Sequence, residues 1–168
     1  MRRAPKAPAI VVEAAGLPRG ERVLAHAQDA DRWLLGTRAA LVLVTAGEST
    51  VRLPWEQIQS ADWERDDGAL TVVEVGTFGE PRGSHRFLIE DPHRLVPLIR
   101  ERVTASVVVQ RGRYLSDKRG LKVIGRRSPT GGPISWLVEY DEGLDPDDPD
   151  VIEAADALLA EARADVGG

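Results

Sequence analysis

The stretch Arg38–Asp62 reads RAALVLVTAGESTVRLPWEQIQSAD, and its pattern decides the fold class. Ala39–Thr45 is a continuous apolar run of strand length, the signature of a buried central strand. Ala46-Gly47-Glu48-Ser49 is a turn. Thr50–Trp55 then alternates, with Val51, Leu53 and Trp55 inward and Arg52 and Pro54 outward. Pro54 has no N–H to give a ladder, which puts it at an edge, a bulge or a strand start. Ile58–Arg65 follows as a further strand, with Ala61 and Trp63 on one face.

The same period extends in both directions. Downstream, Asp66-Asp67-Gly68 is a hairpin turn whose glycine accepts positive φ, and Ala69–Val75 returns antiparallel. Gly76–Gly83 is a loop, and Ser84–Glu90 is the next strand. Upstream, Arg32–Gly36 and Glu21–Gln28 are strands, the latter with Val23, Ala25 and Ala27 on one face. Residues 1–16 are expected to be a flexible tail with a short strand at Ile10–Glu13. Closely spaced strands with short turns mean an antiparallel sandwich or small barrel. After Glu90 the period changes. Asp91-Pro92 is a helix-start signal, and Leu95, Leu98, Ile99, Val103 and Ser106 share a helical face. Pro97 either starts that helix or kinks it.

Val107–Leu115 is again a strand, followed by Leu121–Arg127 and Pro133–Asp141; in the last, Ile134, Trp136, Val138 and Tyr140 share a face. The run DPDDPD at 145–150 leads into a helix over Pro149–Asp165 with Val151, Ile152, Ala155, Leu158, Leu159 and Ala162 as its apolar stripe. Asp150 and Glu153 have capping-box spacing.

About seven short antiparallel strands followed by one amphipathic helix resembles the order of a pleckstrin-homology (PH) like domain. The Arg38–Asp62 segment is similar to bacterial PH-like and GRAM-like modules, in which an apolar strand ends in Thr, turns, and re-enters through a Leu/Ile-Pro-hydrophobic-x-x-Ile pattern. Thr45, Leu53, Pro54, Trp55 and Ile58 occupy those positions here. The resemblance implies an α+β, mainly β fold: a partly open antiparallel barrel over 17–109, capped by a C-terminal helix. A β-hairpin plus helix extension over 110–168 follows it. The resemblance also implies binding or scaffolding rather than catalysis. Phosphoinositide-binding relatives carry a basic cluster between the first strands, where this chain has Asp29, Asp31 and Arg32.

Composition narrows the chemistry. The chain has 168 residues, 42% hydrophobic and 29% charged, which suits a globular protein with a real core. It contains no cysteine, which excludes disulfides, thiolate nucleophiles and cysteine-based metal sites. No apolar window has signal-peptide or membrane-span length, so the cytoplasm is the expected compartment. The three histidines, His26, His85 and His93, form no metal-ligand spacing. No G-x-S-x-G, G-x-G-x-x-G or P-loop motif occurs, and DPDDPD lacks the EF-hand pattern. Neither a metal nor a cofactor is expected.

Net charge is −5, but it is segregated. Residues 1–81 carry 9 Lys/Arg and 12 Asp/Glu, residues 82–127 carry 12 and 4, and residues 128–168 carry 1 and 11. An acidic chain is not a general nucleic-acid binder, and neither nucleic acid nor a membrane surface is the expected partner. Within the basic middle, Arg111, Arg113, Lys118, Arg119, Lys122, Arg126 and Arg127 fall in 17 residues opposed only by Asp117. Arg111/Arg113 and Lys122/Arg126 repeat in even steps, so each pair projects from one face of its strand. These seven are the candidate anion-binding residues; the alternative is a solvated basic face paired with the acidic C-terminal helix. Three functions remain. The first is a non-enzymatic interaction module that binds a protein or forms a homodimer. The second is an anion-binding module for nucleic acid, nucleotide or anionic lipid through 111–127. The third is a small enzyme with a site in the barrel mouth.

Overall fold

The computed structural model describes residues 5–76, 81–116 and 118–167. The loop expected at Gly76–Gly83 has residues 77–80 outside the described set, as does Asp117. The chain is α+β and mainly β. It divides into two compact units, Met1–Thr104 and Ala105–Gly168.

The first unit begins with helix α1 (Ala9–Ala15), then seven strands: β1 (Ala25–Asp29), β2 (Arg32–Gly36), β3 (Ala40–Thr45), β4 (Val51–Pro54), β5 (Ile58–Glu64), β6 (Ala69–Glu74) and β7 (Ser84–Leu88). Two antiparallel meanders result, ordered β1-β2-β3-β4 and β5-β6-β7. One core cluster draws on both sheets: Ala25, Ala27, Leu34, Leu41, Leu43 and Leu53 from the first, and Ile58, Leu70, Val72 and Phe87 from the second. Leu95, Val96 and Ile99 of helix α2 (Leu95–Ser106) join it. β3 is apolar without interruption because it is buried on both faces. Leu41 and Leu43 meet that core, while Ala40, Val42 and Val44 meet Ala15 and Val11 of α1 on the other side.

That packing corrects the expected tail over 1–16 and the strand at Ile10–Glu13. AIVVEAA is a helix, opened after Pro8 and closed by Gly16 at φ 59, whose N–H donates to the Glu13 carbonyl. Two further expectations shift. Trp55 leaves the strand for a single 3-10 turn (Trp55–Gln57) but is fully buried, while Val51, expected inward, is 42% exposed. α2 begins at Leu95 rather than at Pro92 or Pro97. Pro97 therefore stands in the first turn, where an amide has no intrahelical acceptor to lose, so no kink is needed.

In the second unit β8 (Val107–Ser116), β9 (Arg119–Arg126) and β10 (Ser135–Tyr140) form one antiparallel sheet in the order β10-β9-β8. The expected division at 109/110 falls inside β8, whose pairing is with β9, so the contact boundary at Thr104/Ala105 lies five residues earlier. Helix α3 (Pro149–Asp165) covers one sheet face. Val151, Ala155, Leu158 and Ala162 pack with Leu121 and Val123, joined by Trp136, Val138 and Tyr140. Its N-cap is Asp148, which accepts from the Asp150 amide, with Pro149 at the first helical position; the expected Asp150/Glu153 box is displaced by that cap. Gly125 lets the layer close: a Cβ there would stand 2.8 Å from Val109 Cγ1 and 2.9 Å from Trp136 Cζ3.

Candidate functional site

Sheet edges decide what a β-rich protein can pair with, since an unpaired edge offers a row of backbone donors and acceptors. In the first unit, edge strand β7 is closed by two side chains from the β1–β2 turn. Asp29 Oδ2 accepts from the Leu88 amide at 3.1 Å, and Arg32 Nη2 donates to the Arg86 carbonyl at 3.0 Å. The two side chains are ion-paired to each other, and the Arg32 guanidinium lies 4.7 Å from the centre of the Phe87 ring. The turn that makes this reach puts Ala30 at φ 50, a conformation disfavoured for a side-chain-bearing residue. Asp29 and Arg32 thus tie the β1–β2 turn to β7.

A partly buried polar network supports the same unit. Thr37 is fully buried and donates to Glu21, the Glu21 carboxylate takes two hydrogen bonds from Arg52, and Trp55 Nε1 donates to the Thr37 carbonyl at 3.1 Å. Burial raises the Glu21 carboxyl, but the Arg52 and Thr37 hydrogen bonds and the Arg52 charge outweigh it and hold its pKa below the ordinary range. The same unit has two open clefts, the second of which reaches Glu21. One of about 690 Å³ is lined by His26, Trp33, Asp67, Ile89 and His93, and one of about 910 Å³ by Lys6, Leu17, Glu21, Leu24, His26 and His93. His26 Nε2 is 2.7 Å from the Pro5 carbonyl, and His93 Nε2 is 3.3 Å from Asp91. Among the described residues no group of three His, Cys, Asp or Glu side chains is placed to hold a metal. No helix among them is long and apolar enough to cross a membrane.

The second unit separates the seven candidate cations into three sets. Arg111 and Arg113 share one face of β8, as their spacing predicts, and both meet α3. Arg111 donates to Asp165 at 2.5 and 2.9 Å, and Arg113 donates to Glu161 at 2.6 Å. The hydrogen bond from Arg111 is the main cause that holds the Asp165 carboxyl below its usual value, and Asp165 in turn raises the Arg111 guanidinium. These two arginines answer the acidic helix of their own unit. Arg126 is buried at 5% exposure, donates from Nη1 to Ser106 Oγ at 3.1 Å, and has its pKa depressed by that burial. Lys122, which shares its strand face, is exposed. Lys118, Arg119, Lys122 and Arg127 have no carboxylate within 4.0 Å among the described residues. The seven do not converge on one anion site.

What the spacing does not reveal is the edge itself. β8 is ten residues long. From Gln110 to Ser116, five residues (Gln110, Arg111, Gly112, Tyr114 and Ser116) are exposed. Among the described residues no side chain caps its outer backbone as Asp29 and Arg32 cap β7. The chain matches no family model, no curated protein and no solved structure.

Proposed function

We propose that the chain is a non-enzymatic interaction module that forms a homodimer by antiparallel pairing of β8 with β8 of a second copy. The first unit serves as a PH-like scaffold. A four-strand and a three-strand meander that share one core with a following helix support the PH-like reading, partly open barrel included. The observation that carries the function is the contrast between edges: β7 is capped by Asp29 and Arg32, while among the described residues no side chain caps the ten-residue β8. A second copy suits this edge because a two-fold pairing is self-complementary. Arg111 and Arg113 already carry their counter-charges, Asp165 and Glu161, on the same unit. Two such edges therefore meet with their positive charge compensated.

Light scattering over a concentration series at low and high salt tests this. A dimer whose contact is backbone pairing persists at high salt, where surface charge is screened. The variant Gln110→Lys/Gly112→Lys stays monomeric, because like charges facing each other across paired strands are destabilising. A Cβ at Gly112 has its nearest atom at 3.8 Å, so the substitution leaves the monomer intact. A monomeric wild type at high micromolar concentration, or a variant that dimerises as the wild type does, overturns the proposal.

A further inference from the structure

Tyr114 is 79% exposed, on a strand, in a chain with only two Tyr and two Phe. The register places Gly120 directly across from it, and Lys122 across from Gly112. Alternation puts Gly112, Tyr114, Gly120 and Lys122 on the sheet face away from α3, since Arg113 bonds to Glu161 and Leu121 packs under that helix. The two same-face neighbours of the Tyr114 ring on this side are therefore glycines, and the ring stands with open flanks. Gly120 is bare by necessity, because a Cβ there would stand 2.4 Å from the Arg113 carbonyl oxygen. Gly112 is not: a Cβ there meets nothing closer than 3.8 Å. Packing does not require the open space beside the ring.

Two lysines border that space. Lys122 is the diagonal neighbour of Tyr114, about 7–8 Å away in such a ladder and within reach of a long side chain. Lys118 follows at the hairpin end, and a shallow depression of about 540 Å³ runs along Tyr114, Leu115, Ser116 and Lys118. Neither Lys118 nor Lys122 is within 4.0 Å of a described carboxylate, and Glu139 is the residue across from Lys122 on β10.

We propose that this face binds a nucleoside polyphosphate, with the base stacked on Tyr114 and the phosphates held by Lys118 and Lys122. A planar base uses an unobstructed ring, and phosphate oxygens use the cations beside it. One aromatic offers one stacking position, and a chain of net charge −5 repels a long polyanion, so a mononucleotide fits better than a nucleic-acid strand. The site lies on the sheet face and leaves the β8 edge free, so it stands whether or not the chain dimerises.

Calorimetric titration of the full chain with ATP, inorganic tripolyphosphate, adenosine and a short single-stranded oligonucleotide tests it. ATP binds about tenfold more tightly than tripolyphosphate, as one stacked base provides. Tyr114→Ala lowers ATP to the affinity of tripolyphosphate and leaves tripolyphosphate unchanged. Lys118→Glu/Lys122→Glu removes binding of both, with the melting curve unaltered. Equal binding of ATP to wild type and Tyr114→Ala, tighter binding of the oligonucleotide than of ATP, or no heat at millimolar ATP overturns the proposal.

Discussion

Asp29→Ala removes the carboxylate that seals β7. In the wild type that carboxylate is 13% exposed, accepts from the Leu88 amide at 3.1 Å, and is ion-paired with Arg32. Hydrogen bonds to a charged group contribute about 1.5–3 kcal/mol where water is excluded. Leu88 itself is 58% exposed, so water replaces part of the lost bond, and Arg32 keeps its bond to the Arg86 carbonyl. The net loss is about 1–2 kcal/mol, at the lower end of that range. For a chain of this size that is a fall in melting temperature of about 2–8 °C. Thermal denaturation measures the fall, and amide exchange locates it. The Leu88 amide loses protection, while Val72 and Leu70 in the centre of the same sheet do not. A variant with unchanged Leu88 exchange and unchanged melting refutes the idea that the β1–β2 turn closes this edge.

Three other substitutions or conditions test separate parts of the structure. Trp55→Phe leaves the buried Thr37 carbonyl without its indole donor and lowers stability by about 1–3 kcal/mol, read by chemical denaturation. Gly125→Ala sets a methyl under 3.0 Å from Val109 and the Trp136 ring, so these side chains must shift, and it costs about 1–3 kcal/mol with a shift in Trp136 fluorescence. On acidification, the contribution of Asp165 is present above the ordinary carboxylate value of 3.8 and is lost as pH falls through its depressed native value. Carboxyl carbon NMR finds the Asp165 midpoint below 3.8 in the wild type and back near it in Arg111→Gln.

Strand alternation and the long apolar run carried most of the architecture. Ala39–Thr45 looked central and is buried on both faces, and Ile134, Trp136, Val138 and Tyr140 looked like one face, of which the last three pack under α3. Helix α1 was not legible, because seven residues hold too few turns for a period to emerge and Ile10-Val11-Val12 is as β-prone as it is apolar. Its flanking Pro8 and Gly16 were the usable signal. The cap of α3 went to Asp148 rather than Asp150 because DPDDPD offers several carboxylates in a row, and Pro149 selects the one before it.

The basic run was visible, and so was its pairing with the acidic helix as an alternative, which Arg111 and Arg113 adopt. The fate of Arg126 was not, since burial depends on neighbours distant in sequence. Nor were the edges. Whether a strand ends a sheet, and whether Asp29 reaches Leu88 across 59 residues, are tertiary facts that no local pattern encodes.

The most direct test of β8 self-pairing is amide exchange along Gln110–Ser116 as a function of protein concentration. Pairing predicts that protection in this segment rises with concentration, in step with the dimer mass, while Leu121–Ile124 of β9 stays constant. Exchange in β8 that is fast and independent of concentration contradicts it.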